Sequence, residues 1–165
     1  MKFNYSFSLT PPAQPSRKLV EYSYSEFLID LPSHWKLVPN SQHNTLTFQS
    51  DIEGASIIIS VDFYDVPSSK AQTVAEKCID GRLSAHEQQF PARVEVLQRS
   101  IRMHSGGTGL EMSYAAEVAG DHMFMYLGYV TSRKILNLTM VCKPERSKAS
   151  ELFNVTIGNF RPKLP

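Results

Sequence analysis

The histidines of this chain have the most versatile chemistry, because imidazole can move a proton near neutral pH or bind a metal ion. They are His34, His43, His86, His104 and His122. No two lie at the i, i+2 or i, i+4 spacing that would place both rings on one face of a strand or helix. A zinc site would therefore have to gather ligands from distant segments. The sequence predicts no metal site.

Other motifs for nucleophilic or phosphate chemistry are incomplete. Cys78 and Cys142 lack the CxxC spacing of metal and redox motifs, and we predict two buried free thiols. The glycine-rich residues 105–109 lack the Lys-Ser/Thr of a phosphate-binding loop, and a predicted strand rather than a helix follows them. We interpret them as a hairpin turn. Since no GxSxG motif is present, we predict no catalytic residues and no cofactor.

Composition and charge narrow the class of protein further. With 165 residues and 42% hydrophobic content, the chain is long enough for one soluble domain with a full core. Its formal net charge of +1 lacks the basic excess of a nucleic-acid-binding protein. No apolar run reaches the ~20 residues that span a bilayer, and the first residues do not resemble a secretory signal. We therefore predict a cytoplasmic protein that neither binds nucleic acid nor inserts into a membrane.

The pattern of residues 55–89 predicts a strand followed by a long helix, and we expect the rest of the chain to be organised around this pair. A strand over residues 55–64 is indicated by period-two alternation of apolar and polar side chains. One face of this strand carries Ile57, Ile59, Val61 and Phe63, and the other carries Ser56, Ser60 and Asp62. Ile58 is the apolar exception on the polar face.

A helix is predicted from Ser69 to Gln89. Ser69 and Gln72 have the spacing of a capping box, and Pro91 forces the chain out of helical geometry. The apolar stripe of the helix consists of Ala71, Val74, Ala75, Cys78, Ile79 and Leu83. The charged side chains, Arg82 among them, lie mainly off that stripe, and we interpret them as a solvated face. We expect the apolar face of strand 55–64 to pack against the stripe at Val74, Cys78, Ile79 and Leu83.

The remaining segments predict an antiparallel sheet. Strands are indicated over residues 21–30, 45–49, 94–103, 110–118, 123–131 and 135–142, and a closing helix runs from Pro144 to Gly158. The turns between the last four strands are too short for parallel crossovers, so these strands must be antiparallel. Two of them, 123–131 and 135–142, are apolar on both faces, as expected at the centre of a covered sheet. The predicted fold class is α+β, with an antiparallel sheet of about six to seven strands flanked by helices.

Residues 1–20 form a separate N-terminal arm in this interpretation, and residues 21–165 form a single domain. Phe3, Tyr5, Phe7 and Leu9 alternate with polar residues like a strand, and three prolines then form a stiff linker. One interpretation, which we favour, is an edge strand on the domain's own sheet. The other is an arm that pairs with a partner or with a second subunit of a homodimer.

Methionine is the one compositional hint of a binding surface. Every methionine after Met1 falls in the antiparallel run, at Met103, Met112, Met123, Met125 and Met140. Methionine fills gaps in cores, but it also suits surfaces that accept varied apolar partners. Both interpretations remain open: a packed core, or a groove on the sheet for an apolar helix.

Two short motifs at the ends of the domain resemble a known superfamily. Residues 27–35 read FLIDLPSHW, which contains apolar-x-x-Pro-x-x-Trp, and residues 157–162 read IGNFRP, which contains apolar-x-x-Phe-Arg. Together with the strand-to-helix passage at 55–89, they resemble the PsbP-like superfamily and, within it, the DcrB-type domain. The resemblance covers about residues 21–162. It implies an α/β/α sandwich and a protein that binds partners rather than an enzyme.

The cytoplasmic branch of that superfamily includes the Eag-type chaperones of type VI secretion. These hold apolar transmembrane segments of effectors in a sheet groove, usually as dimers. The resemblance therefore implies a chaperone or adaptor whose partner is an apolar segment of a secreted protein. The candidate partner contacts on the sheet are Leu46, Phe48, Ile58, Met112 and Tyr114. Two alternatives remain: an immunity protein that neutralises a soluble toxin, and an enzyme whose active site gathers distant residues.

Overall fold

The computed structural model of the protein describes residues 18–39, 42–105 and 109–164. The predicted arm strand from Phe3 to Leu9, in either interpretation, lies outside the described residues, as do Gly106 and Gly107. The strands are β1 (Leu19–Ser23), β2 (Phe27–Pro32), β3 (Lys36–Val38), β4 (Thr45–Ser50), β5 (Ala55–Phe63), β6 (Val94–Met103), β7 (Leu110–Val118), β8 (His122–Val130), β9 (Lys134–Cys142) and β10 (Phe160–Pro162). The helices are α1 (Ala71–Gln89) and α2 (Arg146–Gly158), and a 3₁₀ turn at Ser68–Lys70 precedes α1.

The centre of the molecule is a seven-stranded antiparallel sheet in the order β3-β4-β5-β9-β8-β7-β6. The predicted run of four antiparallel strands is confirmed as β6 to β9. Almost every residue of β8 and β9 is buried, which agrees with their apolar residues on both faces and their central position. The predicted fold class, an α+β protein with six to seven antiparallel strands flanked by helices, is confirmed.

One face of the large sheet, which we call the inner face, is covered by α2 and by a second sheet of three strands, β10-β2-β1. The core residues on this side come from both layers. They include Phe27, Ile29, Phe48, Ile57, Ile59, Leu138, Met140, Phe153 and Phe160. The opposite face, which we call the α1 face, packs against α1 through Ala75 and Ile79. The layers are therefore helix, large sheet, and a mixed layer of helix and small sheet.

Buried charge joins the small sheet to the large one. The ammonium group of Lys134 at the start of β9 is fully buried and forms an ion pair with Glu26, which lies just before β2. It also donates a hydrogen bond of 2.6 Å to the carbonyl oxygen of Lys163. Since an unpaired buried ammonium would be strongly destabilising, these partners fix how the ends of the small sheet meet β9.

Three local predictions are wrong, and the start of one helix is shifted by two residues. Residues 21–30 are not one strand, because the chain turns at residues 24–26, where the backbone N–H of Tyr24 donates to the carbonyl of Phe27 at 2.9 Å. The two halves instead pair antiparallel as β1 and β2. The closing helix begins at Arg146, two residues after the predicted Pro144, although it ends at Gly158 as predicted.

The capping box at the start of α1 is the second error. Ser69 lies in the 3₁₀ turn, and the N-cap of α1 is Lys70, whose side chain makes no capping hydrogen bond. The amide of Gln72 donates to Glu76 at 3.3 Å, one turn further along the helix, instead of reaching back. The predicted end of the helix at Gln89 is confirmed.

The packing partner of β5 is the third error. Ile57, Ile59 and Val61 lie on the inner face, against α2 and the small sheet, while the stripe of α1 packs on the opposite side of the sheet. Phe63, at the end of the strand, is 52% exposed. The period-two alternation correctly grouped the three buried residues on one face, but that face is not the one that α1 covers.

Candidate functional site

The α1 helix covers only part of its face of the sheet. It packs across β6, β7 and β8. Neighbouring strands lie about 4.8 Å apart, so seven strands span roughly 29 Å, whereas a helix with its side chains is about 10 Å wide. Over β9, β5 and β4, the described part of the chain places no helix on this face. The side chains on this part of the face are Thr45, Thr47, Ser56, Ile58, Ser60, Thr139 and Val141, and we call it the open sheet face.

Strand register brings these side chains together. Ile58 at the middle of β5 is paired with Thr47 on β4 and with Thr139 on β9. Residues paired directly across an antiparallel ladder point to the same side, about 5 Å apart. The neighbouring rows are built the same way, since Ser60 pairs with Thr45 and Ser56 pairs with Val141. The floor of the open sheet face is therefore a patch of hydroxyl groups with half-buried Ile58 at its centre.

The flank of α1 forms one wall of this surface. Cys78 and Arg82 lie one turn apart on α1 and are half-buried. The Arg82 guanidinium donates a hydrogen bond of 3.2 Å to the hydroxyl of Thr139 and lies 4.6 Å above the ring of Tyr126. These contacts hold the guanidinium at the line where the helix meets the floor.

A buried polar network supports the wall from beneath. The Tyr126 hydroxyl donates to Oδ1 of Asn137 at 2.5 Å, and the Asn137 amide donates to the Ser60 hydroxyl at 3.3 Å. Tyr126 can lie flat in this position because Gly128, two residues along β8, has no side chain: a Cβ there would collide with the Tyr126 ring and with Met112. The network thus links the aromatic core under α1 to the hydroxyls of the open sheet face.

The titratable groups of this network are held neutral rather than activated. Burial raises the pKa of Tyr114 to about 12 and also raises the pKa of Tyr126 and of the Cys78 thiol. His86 stacks on Phe124 with the ring centroids 3.7 Å apart, and its Nε2 lies 2.7 Å from the Tyr114 hydroxyl. Burial, aided by the charge of Arg82 and by His122, lowers the pKa of His86 to about 4. A reactive thiol needs a lowered pKa, whereas burial raises that of Cys78.

A cavity at the end of the sheet contains the other convergent set of titratable groups. It has a volume of about 450 Å³, and its lining includes Asp51, Asp121, His122 and Lys143. Asp121 is paired with Arg93 at 2.5 Å, and His122 makes edge-on contacts with Phe90 and Phe124. Within the described ranges no hydrogen bond joins these cavity groups to one another.

The five predicted contacts do not form one surface. Ile58 lies at the centre of the open sheet face. Leu46 and Phe48 point to the inner face, where Phe48 is fully buried and packs edge-on against Tyr22 with the centroids 4.9 Å apart. Met112 and Tyr114 are on the α1 face but are 0% and 1% exposed beneath the helix.

The sequence analysis did not identify Arg82, Asn137 and Thr139 as candidate site residues. The available signal was polar residues at 137 and 139 in an otherwise apolar central strand.

The described residues contain neither a cluster of metal-ligating side chains nor a helix that could cross a membrane. There, no group of three or more His, Cys, Asp or Glu side chains could hold a metal ion. Neither described helix is long and apolar enough to cross a bilayer. Cys78 and Cys142 are free thiols, with Cys142 buried as predicted and Cys78 half-buried.

The architecture is similar to that of a solved cyanobacterial protein. The solution structure of CyanoP, the PsbP of Synechocystis sp. PCC 6803, matches with a TM-score of 0.63 over 94% of this chain and 98% of that one, at 17% sequence identity. This chain has a PsbP-like fold. A protein of unknown function from Pseudomonas aeruginosa, PA94, matches with a TM-score of 0.47 over 89% of this chain and 99% of that one, at 16% identity. No protein-family model matches the chain, and neither does any curated protein. The likeness to CyanoP shows the PsbP-like fold alone.

Proposed function

We propose that this protein is a non-enzymatic binding protein, a chaperone or adaptor, whose open sheet face accepts an apolar helical segment of a partner protein. The observation that carries the proposal is the part of the α1 face over β9, β5 and β4 that no helix in the described ranges covers. Helices pack side by side at 8–10 Å. This area is therefore wide enough for one more helix beside α1.

The side chains on the floor of the open sheet face suit reversible binding of a helix. Ser56, Ser60 and Thr47 are short, so a helix backbone can approach the sheet closely, as small residues allow in helix packing. Ile58 provides an apolar anchor at the centre. The hydroxyl groups keep the surface hydrated when it is empty, whereas a wholly apolar sheet face would favour aggregation.

The class of partner follows from the DcrB-type resemblance of residues 27–35 and 157–162. That resemblance supports a chaperone of the Eag type, whose clients are apolar transmembrane segments of secreted effectors. A chaperone of this kind meets its client before export, so a cytoplasmic location belongs to the proposal. Both motifs contribute core residues, including Trp35 and Phe160, and they therefore support the fold rather than the binding contacts.

Fluorescence anisotropy with a synthetic apolar helical peptide tests the proposal. The peptide has about 20 residues, the length of a transmembrane helix, with terminal lysines for solubility and an attached fluorophore. We expect the wild-type protein to bind it and the Ile58→Asp variant to bind at least about tenfold more weakly, a loss of ~1.4 kcal/mol. The matched control is Val155→Asp on α2, at a side chain that is 57% exposed and far from the open sheet face.

The control must bind like the wild type, and both variants must keep the wild-type circular dichroism spectrum. Equal binding by Ile58→Asp and Val155→Asp would show that the peptide docks elsewhere. That result would contradict the assignment of the open sheet face.

A further inference from the structure

We propose that Arg82 recognises a carboxylate on the segment that occupies the open sheet face. The partner would then be an apolar helix that carries one acidic side chain near the middle of its length. The inference rests on the proposed function and adds to it the chemistry by which one apolar segment is distinguished from another.

Arg82 differs from every other arginine in the described ranges in having no carboxylate partner. The other pairs are Arg93–Asp121, Arg99–Asp80, Arg102–Glu111, Arg133–Glu26, Arg146–Glu117 and Arg161–Asp30. The groups that contact Arg82 are the Thr139 hydroxyl and the side chains of Tyr114 and Tyr126, and all are neutral at pH 7. The positive charge of Arg82 is therefore oriented but not compensated.

Asp62, which lies on the same face of β5 as Ser60, is not paired with Arg82. Asp62 lies at the exposed end of β5 and interacts electrostatically with Tyr64 and Cys78, but it forms no ion pair with Arg82. Arg82 lies one turn further along the helix, beside Thr139. Within the described residues no carboxylate is paired with Arg82, so a partner segment could supply one.

The surroundings of Arg82 favour binding over a purely structural role. A guanidinium carries five N–H donors, and its planar fork matches the two oxygens of a carboxylate. Stacking on Tyr126 and the hydrogen bond to Thr139 already restrict the side chain, so little rotamer entropy is lost when a ligand arrives. These two contacts direct the guanidinium towards the floor of the open sheet face, where a bound segment would lie.

Strand register predicts where on the partner helix the carboxylate lies. Thr139, which accepts the Arg82 hydrogen bond, is the direct register partner of Ile58. The anchor and the guanidinium are therefore neighbours on the surface. A partner helix that packs an apolar side chain on Ile58 would present the acidic residue three or four positions away, which is the spacing of one helical turn.

Two peptides that differ in one residue test the inference by fluorescence anisotropy. Both are apolar helices of about 20 residues, with glutamate at the midpoint of one and glutamine in its place in the other. We expect the wild-type protein to bind the glutamate peptide at least about tenfold more tightly. The Arg82→Gln variant should bind both peptides equally, and Arg82→Lys, which keeps the charge but not the fork, should retain part of the preference.

Arg99→Gln is the matched control, because Arg99 pairs with Asp80 on the other flank of α1. It should keep the full preference for the glutamate peptide. If wild-type protein binds both peptides equally and Ile58→Asp weakens both, the inference about Arg82 is overturned while the proposed function stands. If neither peptide binds to the wild-type protein, the proposed function and this inference fail together.

Discussion

The two halves of the α1 face belong to one sheet but have opposite side-chain chemistry. Under α1, Met112, Tyr114 and Tyr126 are 0–1% exposed and fill the space below the helix. On the open sheet face, the equivalent positions of β5 carry Ser56 and Ser60, which are half-buried. Large side chains stand where a helix of the chain itself packs, and short hydroxyl side chains stand where it does not. The covered half therefore stabilises the domain, and the open half is the surface to which we assign the proposed partner.

The largest expected effect of a substitution lies in the covered half. Tyr114→Ala should lower the free energy of unfolding by about 3–5 kcal/mol, because it removes a fully buried aromatic ring and leaves a cavity. It also removes the hydrogen-bonded partner of His86. Urea denaturation measures the change. Tyr64→Ala, at a side chain that is 48% exposed, is the control and should cost less than about 1 kcal/mol. Similar costs for the two variants would contradict the division into halves.

Gly128→Ala should also destabilise the covered half, by about 1–3 kcal/mol. The added methyl group would lie 2.8 Å from Cε of Met112 and would displace the Tyr126 ring. Gly81→Ala on α1 is a matched control, because a Cβ there meets nothing within 4 Å. In the middle of a helix that change should stabilise the protein by about 0.5–1 kcal/mol. Thermal unfolding should show a lower melting temperature for Gly128→Ala and a higher one for Gly81→Ala. An unchanged melting temperature for Gly128→Ala would disprove the close packing of Tyr126.

Acid should weaken the covered half through His86. Its pKa is lowered from 6.5 to about 4 by burial, by the charge of Arg82 and by His122. Between these two pH values the unfolded chain binds a proton that the folded protein excludes, so stability present above pH 6.5 is lost as the pH falls towards 4. Allowing for the partial exposure of the ring, the loss should be about 1–2 kcal/mol.

Urea denaturation at several pH values measures this effect. The His86→Gln variant serves as the comparison, because glutamine does not titrate in this range. Its stability should change less between pH 6.5 and 4 than that of the wild-type protein. Identical pH profiles would contradict the burial of a neutral imidazole against Phe124.

The smallest expected effect on stability lies in the open half. Ile58→Ala should cost less than about 1 kcal/mol, because the side chain is half-buried and no helix in the described ranges packs on it. The same variant should nevertheless weaken binding of the apolar peptide severalfold. Urea denaturation and anisotropy on one preparation separate the two effects. A loss of 3 kcal/mol or more, of the size expected for core residues, would place Ile58 in the core.

Much of this fold could be predicted from local patterns, because alternation and short turns determine which strands pair. The run from β6 to β9 and the end of α1 at Gln89 are examples. The face on which each layer packs could not be predicted in this way. Alternation showed that Ile57 and Ile59 share a face, but nothing in β5 shows whether α1 or α2 covers it. That choice depends on the path of residues 64–67, where the N–H groups of Tyr64 and Val66 bond across to the β8–β9 turn.

The candidate site was predictable only in part, for the same reason. Ile58 stood out as an apolar residue on a polar strand face, and the structure places it on the open sheet face. Arg82 looked like one more charged residue of a solvated helix flank. Its distinction lies in what surrounds it, namely two tyrosines and a threonine from β7, β8 and β9, which only the tertiary structure brings together.

Methyl NMR on isoleucine-labelled protein tests the central claim most directly, since three isoleucines report on the three environments. Ile58 lies on the open sheet face, Ile79 lies on the buried side of α1, and Ile57 lies on the inner face. When the apolar helical peptide is added, the account predicts that the Ile58 methyl signal shifts most, with little change at Ile79 and Ile57. Shifts confined to Ile79 or Ile57, with the Ile58 signal unmoved, would contradict the claim that the open sheet face is the binding site.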